Sequence, residues 1–112
     1  MSTTELYSAT LSALTDARLK MLSPEWQAEL DQQDAPTRLA ASKALLRVEQ
    51  AILSMSNAIL ADIAADMQNN EQGLTDATKA LAAALDDISK VQTVINTVTS
   101  LVSVVAKILP LL

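Results

Sequence analysis

The chain has 112 residues, a formal charge of −5 and 50% apolar residues, with no His, Cys or Phe. Without imidazole or thiolate there is no disulfide framework, no ordinary zinc site and no triad or dyad built on either group. The acidic balance opposes a phosphate backbone, so nucleic acid is not an expected partner; one Gly and three Pro leave little material for the tight turns of a sheet protein.

Ser2 followed by Glu5 forms a capping-box pair and predicts a first helix over about 3–22. Leu11, Leu14, Arg18 and Leu22 share one face of it, with Tyr7 one turn before them at the rim of the core. Ser23-Pro24-Glu25 ends that helix and starts a short one over about 24–33. Trp26 and Leu30 are its apolar face; Trp26 either closes the end of the core or anchors a partner.

Asp34-Ala35-Pro36 repeats the start signal and opens a long helix over about 35–69. Read in sevens, Leu39, Leu46, Leu53, Leu60 and Met67 form one apolar column, flanked by Leu45, Ile52 and Ile59. The fourth positions of the same heptads are Ser42, Glu49, Ser56 and Ile63. Glu49, in the middle of that face, is read as a carboxylate reaching Arg18 or Arg47, not as a catalytic acid.

Asn69-Asn70-Glu71-Gln72-Gly73 is the next break, with the sole glycine suited to end a helix. The heptad column then continues in phase over about 74–109. Its first positions are Leu74, Leu81, Ile88, Ile95, Val102 and Leu109, and its fourth positions are Ala77, Ala84, Val91, Val98, Val105 and Leu112. Arms of similar length about one breaker predict an antiparallel helical hairpin of 35–69 and 74–109, with one continuous long helix, for which the unbroken heptad phase argues, as the alternative. The N-terminal and short helices pack at its open end. The expectation is thus an all-α helical bundle forming a single domain over 1–112, with Leu53 and Ile95 in its core and Lys79 on its outer face.

Beyond Val91 the only charge is Lys107, and apolar residues exceed the seam at Val94, Leu101, Val104 and Ile108. These four, with Trp26, are the candidate partner-binding residues. Segment 91–112 reads first as core, then as a self-association surface, and third as a membrane-active helix interrupted by Gln92 and Asn96. The carboxylates Asp62, Asp66, Glu71, Asp76, Asp86 and Asp87 read as a solvated acidic tip rather than a metal site.

No catalytic residue, cofactor site or metal site is expected, and the chain is not read as an enzyme. The expected function is that of a non-enzymatic interaction or assembly protein, acting on a protein partner or on itself as a homo-oligomer through coiled-coil-like helix faces. The alternative is an exported or membrane-active protein using 91–112; membrane contact is the less favoured. The N-terminus has neither a basic region nor an apolar one, so the expected localisation is cytoplasmic, with export without a signal peptide as the alternative. Size and hairpin pattern are similar to those of small helical secretion substrates exported without a signal peptide. Their Trp-x-Gly turn is replaced here by Asn-Asn-Glu-Gln-Gly, so nothing is carried over from them.

Overall fold

A computed structural model describes residues 1–111. Among them the backbone forms six α-helices and no strand: α1 (Thr3–Met21), α2 (Pro24–Asp31), α3 (Ala35–Asn57), α4 (Leu60–Asn69), α5 (Glu71–Leu85) and α6 (Val91–Ala106). The all-α bundle is the fold. Its internal division differs from the expected hairpin, for local reasons given below.

The first three helices begin at their sequence signals. Ser2 and Glu5 make both bonds of the capping box, Glu5 N donating to Ser2 Oγ and Ser2 N to Glu5 Oε1, each at 3.1 Å. Trp26 N donates to Ser23 Oγ at 3.2 Å, just ahead of Pro24. Thr37 N donates to Asp34 Oδ1 at 2.9 Å. By contrast, α4, α5 and α6 have no side-chain cap bond.

Four helices surround one core in the cyclic order α1, α3, α6, α5, and the diagonal pairs make little or no contact. Helices α1 and α3 are antiparallel. Tyr7, early in α1, donates its hydroxyl to the Met55 carbonyl late in α3 at 2.6 Å, while Arg18, late in α1, lies 3.6 Å from Glu49. Helices α1 and α5 are parallel: the Met1 ammonium meets Glu71 at 3.2 Å, and farther along Ala13 and Asp16 share a groove with Ala82 and Leu85. Helices α5 and α6 are antiparallel, joined through residues 86–90, with Gly73 beside Val104. It follows that α3 and α6 run in the same direction.

Two short helices complete this topology. The chain leaves α3 at one corner and enters α5 at the opposite one. Helices packed about 8–10 Å apart set that diagonal at about 11–14 Å. The ten residues of α4 span about 15 Å, and α4 crosses against α1, burying Ile63 and Met67. At the other end α2 contacts α1 and α3 and buries Trp26 and Leu30.

The expected hairpin of 35–69 and 74–109 is therefore corrected at three points. The first arm breaks after Asn57 without Gly or Pro. Ala58 turns to extended backbone (φ −75°, ψ 147°), and the Met55 carbonyl accepts from Ala58 N at 3.2 Å and from the Tyr7 hydroxyl. The second arm breaks at 86–90, where Asp87 Oδ1 accepts from Ser89 N at 3.2 Å and from the Ser89 hydroxyl, an Asx-type turn. The expected break at 69–73 is only a junction. Asn70 alone separates α4 from α5, its N–H still donating back to Asp66 and Met67, and Gly73 lies inside α5 with no positive φ. The antiparallel partner of α6 is thus α5, and α1 is a full side of the bundle instead of a lid at an open end.

Candidate functional site

Helix α3 carries two apolar columns, and only one faces inward. Ala41, Ala44, Val48, Ala51 and Met55 keep a 3-4-3-4 spacing and are buried. Four of these five side chains are Ala or Val, which lets α1 and α6 approach α3 closely. The leucine column points the other way: Leu39 is 56% exposed, Leu46 56% and Leu53 51%. The expectation that Leu53 is a core residue is corrected, whereas Ile95 is buried as expected. Leu60 is half-buried, and Met67 is buried where α4 turns under the bundle.

The three leucines lie seven residues apart, so they form a ridge about 21 Å long at 1.5 Å per residue. On one side the ridge falls into a groove of about 560 Å³ between α3 and α6. Ala44, Ile95, Val98 and Val102 contribute to its apolar lining, Leu46 lies on its α3 side, and Lys43 and Arg47 supply its charges. Among the described residues no carboxylate lines it. Lys43 and Arg47, both exposed, have no hydrogen-bond or ion-pair partner among the described residues. On the other side of the ridge Glu49 meets Arg18 across the α1–α3 seam, both partly exposed.

The residues first singled out for partner binding lie elsewhere. Trp26 is 1% exposed and closes the α2 end of the core. Val94 and Leu101 are fully buried, Ile108 is buried, and Val104 is half-buried against Gly73. None of the five is on the α3 ridge, and the bundle's own interior takes up their apolar surface. The α1 face is rotated as well: Leu6, Leu14, Ala17 and Met21 are buried, Tyr7 and Leu11 are half-buried, and Leu22 is exposed.

The expected acidic tip is split. Asp62, Asp66, Glu71 and Asp76 lie about the α4–α5 junction, while Asp86 and Asp87 are at the far end of α5. Among the described residues no group of three or more potential ligands is placed to share a metal ion. None of their helices is long and apolar enough to cross a membrane. The chain matches no known protein-family model, no curated protein and no solved structure.

The sequence signals for the ridge were the polar fourth positions. Ser42, Glu49 and Ser56 interrupt the leucine heptads, whereas the column 41-44-48-51-55 has apolar residues at both of its spacings. Side-chain size drew attention to the leucines; continuity of the 3-4 pattern marks the face that is buried.

Proposed function

We propose that the chain is a non-enzymatic interaction or assembly protein whose working surface is the outer face of α3. The observation that carries this reading is the row Leu39, Leu46 and Leu53, each more than half exposed. Scattered surface leucines need no explanation, but these three stand on one helical line and the middle one, Leu46, borders an apolar groove, an arrangement suited to docking. Covering the exposed half of one leucine is worth about 1 kcal/mol. Three such residues and the groove support an association of moderate strength. Reading α6 as a membrane-active segment would require the bundle to open, since Val94, Leu101 and Ile108 are buried.

The test is photo-crosslinking in cells. A photoreactive amino acid is placed at position 46 and, as a control, at exposed Lys79 of α5. Discrete adducts to protein, whether a second copy or another chain, are expected at 46 and not at 79. Absence of any 46-specific protein adduct would remove the assignment.

A further inference from the structure

The α3 face differs in charge from the rest of the chain. Helix α3 carries Arg38, Lys43 and Arg47 against the single carboxylate Glu49, in a chain whose formal charge is −5. Glu49 faces Arg18, and Arg38 donates to the Gln33 carbonyl at 2.7 Å. The unpartnered cations bordering the leucine ridge are therefore Lys43 and Arg47, one turn apart and both on the α6 side, over the apolar groove.

From this we infer that the outer face of α3 docks an acidic amphipathic helix of a different protein. Its apolar seam would lie along Leu39, Leu46 and Leu53, and its carboxylates would meet Lys43 and Arg47. The inference rests on the interaction reading above and adds the chemistry of the occupant. A helix fits because the ridge has a seven-residue repeat and the adjoining groove is concave, so it can receive a row of side chains.

A second copy fits less well. Among the described residues its net-acidic helices α2, α4 and α5 carry no exposed large apolar side chain; Leu22 and Ile59 stand singly just ahead of α2 and α4 and Leu19 singly on α1, so none offers a seam. In an antiparallel pairing, two α3 faces meeting about Leu46 would bring Lys43 and Arg47 of both copies to the same side, which repels; in a parallel pairing they would face the other copy's Glu49, which Arg18 already holds. A bilayer fits less well too. Ser42, Glu49 and Gln50 flank the leucines closely on the helix and would have to enter the apolar layer.

The experiment uses the full chain and a fluorescent three-heptad peptide with Leu at the first and fourth heptad positions and Glu at the flanking ones. A peptide with Lys in place of Glu is the comparison. The Glu peptide is expected to bind with a dissociation constant of about micromolar order, more weakly as salt rises. The Lys peptide should bind at least about tenfold more weakly. Leu46→Glu, and separately Lys43→Glu with Arg47→Glu, should each weaken binding about tenfold or more, while Lys79→Glu should not. All these positions are exposed, and circular dichroism of each variant confirms that the bundle is retained; Leu46→Ser is the milder substitute. Equal binding of the two peptides, or no binding of the Glu peptide, would overturn the inference.

Two other outcomes would overturn it as well. One is a dimer of this chain that Leu46→Glu dissociates. The other is Leu46-dependent binding to phosphatidylcholine–phosphatidylserine vesicles. The dimer would leave the broader interaction reading standing, because position 46 would still crosslink to protein. Loss of all protein adducts at 46 would end both.

Discussion

Helices α3 and α5 carry leucines on the same heptad phase and place them on opposite sides of the protein surface. Leu74 and Leu81 of α5 are buried with Ala77 and Ala84 at the fourth positions of their heptads. Leu39, Leu46 and Leu53 of α3 stand in solvent, and their fourth positions are Ser42, Glu49 and Ser56. One column without its companion column leaves a stripe too narrow to pack between two neighbouring helices. In α3 the buried stripe is the parallel one, 41-44-48-51-55, which is apolar at both spacings. What decides burial is the completeness of the 3-4 pattern, and residue size is secondary.

The largest expected effect tests that contrast directly. Leu74→Ala and Leu81→Ala should each cost about 2–5 kcal/mol in urea or thermal unfolding, the range for truncating a buried aliphatic side chain. Leu46→Ala and Leu53→Ala should cost less than about 0.5 kcal/mol, as surface changes do. Equal losses in the two pairs would mean that α3 turns its leucines inward in solution.

How much was legible follows from the same residues. The starts of α1, α2 and α3 could be read because Ser2, Ser23 and Asp34 are local signals that act through bonds to the next turn. The buried seam of α5 and α6 could be read because both of its columns are apolar, from Leu74 to Val105. Leu112, the last of its fourth positions, lies outside the described residues. The end of α3 could not be read. Nothing near Asn57 breaks helices strongly, and the bond that holds the break comes from Tyr7, 48 residues away from Met55. The Asp87–Ser89 turn was readable in principle, but the unbroken heptad phase across it hid the signal. The α3 ridge was visible as a column and misread as core.

That long-range bond gives the second prediction, which sharpens why α3 stops where α5 continues. Tyr7→Phe removes the hydroxyl from the Met55 carbonyl and leaves the ring in place. A loss of about 0.5–1.5 kcal/mol is expected, the usual net worth of such a bond. Amide exchange should quicken first near residues 55–59. An unchanged stability would mean that the break after Asn57 holds without Tyr7.

The glycine of α5 gives a third, with the opposite sign. Gly73 is helical, and a Cβ there would meet Val104 Cγ1 at 3.6 Å and Cγ2 at 3.7 Å, ordinary van der Waals distances. Gly73→Ala should therefore stabilise by about 0.5–1 kcal/mol, through helix propensity and reduced freedom of the unfolded chain. Destabilisation would restore the turn at 69–73.

The smallest effect separates the two halves by their helix starts. Glu5 accepts from the Ser2 side chain and backbone, and Asp34 accepts from Thr37; these bonds hold both carboxyls below their ordinary values of 4.5 and 3.8. Hydrogen bonding from Ser89 lowers Asp87 below 3.8 in the same way. A folded-state pKa below the unfolded one means that the folded state favours the carboxylate. The associated stability is full above the ordinary values and is lost as pH falls through and below them. Acid titration should thus loosen the first turns of α1 and α3 and the 86–90 turn, beginning below about pH 4.5 for Glu5. The starts of α4 and α5, which have no side-chain cap bond, have none to lose. Residue-resolved amide exchange at successive pH values checks this, with Glu5→Gln and Asp34→Asn expected to flatten the response at their own helices only. Uniform acid loosening of all six helices would show that the caps do not set the order.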